Sequence, residues 1–135
     1  MQTLSFTDNS ETIAFTAVPR RGGYTVTVHL EGKTGGTRDP SRFWSSGDST
    51  VYYTDGETRS FKVKDGHTFV WGVIRTGIYD NRWITLHLKG DSPKATYEIA
   101  SPVDHKRMVV FEVPIDGSKY KVYRRGTDLK VKTMD

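Results

Sequence analysis

Five consecutive residues, Tyr79-Asp80-Asn81-Arg82-Trp83, place a phenol, a carboxylate, an amide, a guanidinium and an indole on one short stretch of chain. That set suits a polyol. A pyranose has an apolar face that packs on Trp or Tyr, and hydroxyls that need fixed donors and acceptors of the kind Asp, Asn and Arg supply. Thr85 and His87 follow at alternate positions, so an extended segment would add a hydroxyl and an imidazole to the face that carries Trp83. Trp44 stands in the polar run of residues 32–49 and either closes one end of the core or meets a ligand. Tyr79, Asp80, Asn81, Arg82, Trp83, Thr85, His87 and Trp44 are therefore the candidate ligand-binding residues.

Catalytic chemistry finds no comparable pattern. His29, His67, His87 and His105 show no HxH, HxxxH or HExxH spacing, and there is no cysteine to supply a thiolate ligand or nucleophile. No GxSxG elbow is present, and the glycine pairs at 22–23 and 35–36 lack the helix and the Lys-Ser/Thr that a phosphate loop requires. The expectation is a binding protein and not an enzyme, with no cofactor and no metal.

The elements that would hold these residues are strands. Period-2 segments recur about every ten residues between Gly, Asp, Asn and Pro, and hardly any segment sustains a 3.6-residue apolar period. Residues 3–6 open the chain as a short strand. Residues 12–18 and 24–31 form a hairpin with Tyr24, Val26, Val28 and Leu30 inward. A short helical turn is the expected structure at 40–44, with Asp39 as its cap and Pro40 at its first position. Residues 50–54 and 58–64 flank the Asp55-Gly56 turn. Residues 67–75 are apolar on both alternating sets, as in a central strand covered on both faces. Residues 83–89 alternate cleanly, with Ile84, Leu86 and Leu88 inward. Strands at 95–100, 108–113, 119–124 and 129–133 complete the chain. At 135 residues about ten strands fit two packed sheets or a closed barrel. The expected fold is a single all-β domain over residues 1–135, an antiparallel β-sandwich. Phe15, Val26, Val28, Phe69, Val73, Leu86, Val109, Phe111 and Val122 should share its core.

Charge is unevenly placed. Residues 119–135 hold six basic and two acidic groups, leaving fourteen of each sign elsewhere, so the net +4 sits wholly at the C-terminal end. A basic hairpin of this kind reads first as a solvated edge. Alternation leaves only Tyr123 among the charges of Lys119 to Arg125, so nucleic acid is not an expected partner. The opening MQTLSFTDNSETIAF lacks a basic stretch followed by an apolar run, and no apolar segment approaches the ~18 residues of a membrane span. A soluble, cytoplasmic protein is expected.

The run GHTFVWGVIRTGIYDNRWITLHL resembles the middle of the fungal fruit-body lectins of the Agaricus bisporus type, through Phe69, Gly72, Asn81, Arg82 and Trp83. In that family a phenylalanine-containing strand leads through a polar loop to an Arg-Trp pair and a sugar-contacting strand. The resemblance covers about 25 of the 135 residues. It implies a β-sandwich that recognises glycans or glycoconjugates and assembles into homo-oligomers. The family is similar in fold to the actinoporins, which implies membrane lipid head groups as an alternative ligand and a cytolysin-like alternative function. A third reading is a structural or interaction domain whose loops are only turns. The lectins carry an acidic residue shortly after Arg-Trp, and here Thr85 falls near that place, which puts their monosaccharide preference in doubt. The helix of about 20 residues that actinoporins detach has no counterpart in the opening, which turns β-like by Leu4.

Overall fold

A computed structural model describes residues 2–8, 11–31, 41–44, 50–53, 58–73, 82–126 and 128–134, with backbone alone at 11, 41–44, 50–53 and 73. Among these residues there is no helix. Twelve strands run in chain order: β1 (Gln2–Asp8), β2 (Glu11–Arg20), β3 (Gly23–Glu31), β4 (Ser41–Trp44), β5 (Thr50–Tyr53), β6 (Thr58–Lys64), β7 (Phe69–Val73), β8 (Arg82–His87), β9 (Lys94–Ala100), β10 (Arg107–Pro114), β11 (Lys119–Arg125) and β12 (Asp128–Thr133). They form a six-stranded sheet in the order β12-β11-β1-β2-β3-β6, a four-stranded sheet in the order β10-β9-β8-β7, and the β4-β5 ribbon. The all-β sandwich is the architecture that the alternating sequence calls for.

Each sheet turns one side-chain parity inward. Leu4, Phe6, Ile13, Phe15, Val26, Val28 and Leu30 of the six-stranded sheet meet Phe69, Trp71, Ile84, Leu86, Ala95 and Tyr97 of the other in one core. Aromatic rings carry much of the contact between the sheets. Phe6 lies edge-on to Tyr97 at 5.4 Å, Phe61 lies 5.4 Å from Phe69, and Phe15 meets Phe69 at 6.4 Å. Such rings bury large areas, and their tilted pairings add about 0.5–1.5 kcal/mol each beyond the area term.

The tight β2–β3 turn depends on glycine. Gly22 adopts φ 83° and Gly23 φ 156°, and a Cβ on Gly23 would fall 1.9 Å from the Val63 carbonyl oxygen of β6. Only glycine lets the two backbones approach so closely. At the β10–β11 turn, the Asp116 carboxyl accepts from Ser118 at 3.1 Å. Ser118, first through its hydroxyl and then through its backbone N–H, holds that carboxyl below its ordinary range. The contribution of this turn is thus present at neutral pH and fades as acid protonates Asp116.

Four expectations need correction. Residues 41–44 are not helical but pair with β5 in register Phe43↔Val51 and Trp44↔Thr50. A four-residue helix has too costly a nucleus, and Phe and Trp favour a pleated ladder. β7 is the last strand of its sheet and not a central one; β4 lies beside it. β1 pairs parallel with β11 on one side and antiparallel with β2 on the other, so one ladder departs from the antiparallel pattern. Val109 is not a core residue: it is 57% exposed, because a bulge between Val109 and Phe111 shifts the register on β9 and reverses the parity. Phe111 stays inward, partly buried and stacked on Tyr97 at 4.8 Å. Phe15, Val26, Val28, Phe69, Leu86 and Val122 are buried as expected, and the Val73 side chain lies outside the described residues.

Arg82 ties the two sheets together. Its side chain shares the parity of Ile84 and Leu86, forms an ion pair with Asp8 at the end of β1, and donates to the Tyr97 hydroxyl at 3.2 Å. Both charged side chains are largely buried, at 12% and 14% exposure. Leaving either one alone strands a desolvated charge.

Two measurements check this packing by urea unfolding. Val122→Ala should cost about 2–3 kcal/mol by lost burial plus cavity, whereas Val109→Ala should stay within about 0.5 kcal/mol, as for an exposed side chain. Arg82→Ala should destabilise by about 3 kcal/mol, and replacing the pair together (Asp8→Leu with Arg82→Met) should recover most of that loss.

Candidate functional site

The parity that β8 turns away from the core is Trp83, Thr85 and His87. Register on β9 sets Trp83 opposite Glu98, Thr85 opposite Thr96 and His87 opposite Lys94. On the far side, β10 sets Val109 opposite Glu98 and Glu112 opposite Thr96. On the near side, β7 sets Gly72 opposite Trp83 and Val70 opposite Thr85.

The centre of this outer face is buried although it faces away from the core. Glu98 is only 5% exposed, Thr85 7% and Thr96 8%. The Thr85 hydroxyl donates to Glu98 Oε1 at 3.2 Å, and the Thr96 hydroxyl donates to Glu98 Oε2 at 2.9 Å. The Arg107 guanidinium lies 3.7 Å from Oε1. His87 Nε2 meets the Thr96 hydroxyl at 3.3 Å. Thr96 has one proton and gives it to Glu98, so His87 must be the donor and carry its hydrogen on Nε2. Lys94 and Glu112 close the lower rim with a 3.3 Å ion pair.

This arrangement orients an acceptor. Each Glu98 oxygen receives one hydroxyl proton and keeps lone-pair capacity for another donor, while Thr85, Thr96 and Arg107 fix its direction. A desolvated, pre-oriented carboxylate beside an indole and an imidazole is equipped to receive a ligand hydroxyl. Among the described residues no three His, Asp or Glu side chains group as a metal site.

The eight residues proposed from sequence divide into three sets. Trp83, Thr85 and His87 share the outer face with Glu98. Arg82, next to Trp83 in the chain, points the opposite way and is engaged by Asp8 and Tyr97. Tyr79, Asp80 and Asn81, and the side chain of Trp44, lie outside the described residues. Sequence reasoning passed over Glu98, Thr96 and Arg107. The available signal was the alternation of residues 95–100, where Ala95, Tyr97 and Ile99 take one parity and leave Thr96 and Glu98 on the other, in register with Thr85.

Among the described residues no helix is long and apolar enough to cross a membrane. Comparison with family models, curated proteins and solved structures finds no match to this chain.

Proposed function

We propose that this chain is a non-enzymatic carbohydrate-binding protein that receives a glycan on the outer face of the four-stranded sheet. The observation that carries the reading is Glu98. A carboxylate buried on a face turned away from the core, and held by two hydroxyls and a guanidinium, is costly unless something uses it. Sugar hydroxyls are donors that a fixed carboxylate can select, and Trp83 supplies the ring on which an apolar sugar face can pack.

The resemblance to the fruit-body lectins gains a physical point here. Thr85 stands where that family has its acidic residue, and its hydroxyl is bonded to a carboxylate from the neighbouring strand. A carboxylate is thus beside the place the resemblance implies, displaced by one strand, which supports glycan recognition with an altered sugar preference. The cytolysin-like reading is weaker. Residues Gln2–Asp8 are paired by β2, and Ser5–Asp8 also by β11, so freeing them as a helix would break two ladders.

The test is a glycan array run beside liposome binding with the full chain. Wild type should bind a defined subset of glycans. Trp83→Ala should weaken the strongest hit by about 1–3 kcal/mol, the usual scale for a central interface group. Glu98→Gln, isosteric but without the charge, should weaken it by about 1.5–3 kcal/mol, as for a hydrogen bond to a charged group. Unchanged glycan binding by both variants, or liposome binding without any glycan binding, would contradict the proposal.

A further inference from the structure

The solvent-facing parity of β11 is Lys119, Lys121, Tyr123 and Arg125. Register with β12 sets Lys121 directly opposite Lys132, Tyr123 opposite Lys130 and Arg125 opposite Asp128. All four lysines are exposed. They therefore surround Tyr123 on a patch about 13 Å long, from strand rise, and two strands wide. Among the described residues none of the four forms an ion pair with a carboxylate. Among the described residues the one carboxylate on this face of the ribbon, Asp128, lies at the turn opposite Arg125.

Edge protection accounts for only part of this arrangement. β12 is the outer strand of its sheet, so Lys130 and Lys132 would discourage pairing with another chain. Lys119 and Lys121 lie one strand in, where edge protection has no use for them: β1 pairs with both on one side, and on the other Lys121 pairs with Lys132 of β12 and the Lys119 carbonyl accepts from the Met134 N–H. Lys121 opposite Lys132 is a like-charge cross-strand pair, which is destabilising unless an anion stands over it. β1 extends the patch with hydroxyls, Ser5 beside Lys119 and Thr7 beside Lys121.

The geometry points to a second binding site on this ribbon, for a linear sulfated polysaccharide. A narrow line of cations bordered by hydroxyls matches a single polyanionic chain with sulfates and hydroxyls along its length. Nucleic acid fits less well. Single-stranded binding draws on aromatic faces for the bases, and the one ring on the strip, Tyr123, is half-buried with the Lys132 ammonium over it at 5.4 Å. The site is separate from the Glu98 face, since it lies on the other sheet, and it stands or falls independently of the ligand proposed there.

The experiment uses the full chain and heparin as the probe, with binding measured across a salt series. Wild type should bind at low salt and lose affinity steeply as salt rises. Lys121→Gln with Lys132→Gln should elute from immobilised heparin at clearly lower salt and reduce the slope of log affinity against log salt by roughly half, since counterion release scales with the cations engaged. Lys62→Gln with Lys64→Gln, the same change in net charge at the opposite edge of the sheet, should leave elution and slope near wild type. Both pairs are exposed, and an unchanged melting transition checks the fold. The site is refuted if the ribbon variant elutes with wild type, or if the control variant shifts as far, which would make net charge the whole effect. Tighter binding to single-stranded DNA or to anionic phospholipid vesicles than to heparin at equal salt would overturn the choice of ligand.

Discussion

A pleated strand sends successive side chains to opposite faces, and the division of labour in this molecule depends on that constraint at β8. Ile84, Leu86 and Leu88 go into the core at 1–2% exposure, while Trp83, Thr85 and His87 go to the outer face. A shift of one residue in the β8–β9 register would exchange the two sets. It would turn an indole and an imidazole into the core and lift the aliphatic residues into the place of the polar cluster. The aromatic contacts between sheets and the Asp8–Arg82 ion pair hold β8 in the register that the outer face needs.

The two outer faces have opposite electrostatic characters. On the four-stranded sheet a carboxylate is withdrawn from water and fixed by Thr85, Thr96 and Arg107. On the edge of the six-stranded sheet, exposed lysines stand with no carboxylate paired to them among the described residues. The first arrangement pays its desolvation cost in the folded protein, which favours short-range, directional recognition of a neutral polar ligand. The second is long-range and responds to salt, which favours a multiply charged chain. The same sandwich thus holds surfaces suited to two chemically different ligands.

Alternation made most of the fold legible. The β2–β3 hairpin, the inward sets of β8 and β11 and the all-β class follow from period-2 patterning that the structure repeats. What escaped were features set by neighbouring strands. The bulge at Val109 has no local signature in Met108-Val109-Val110-Phe111, because it is defined by pairing with β9. The place of β7 at the end of its sheet could not be read from a run that is apolar on both parities. At the candidate site, Arg82 and Trp83 look like partners in sequence, yet consecutive residues of a strand face opposite ways. Glu98 is fifteen residues from Trp83 in the chain and directly opposite it in the sheet, so only the register brings them together.

The central claim, that the Glu98 face receives a glycan, is tested most directly by following side-chain resonances while a glycan selected from an array is titrated into the protein. The account predicts that the indole N–H of Trp83 and the methyl groups of Thr85 and Thr96 shift together with saturation. Trp71, buried in the core at 1% exposure, should not move. Saturable binding that leaves Trp83, Thr85 and Thr96 unperturbed would contradict the account and place the ligand elsewhere on the sandwich.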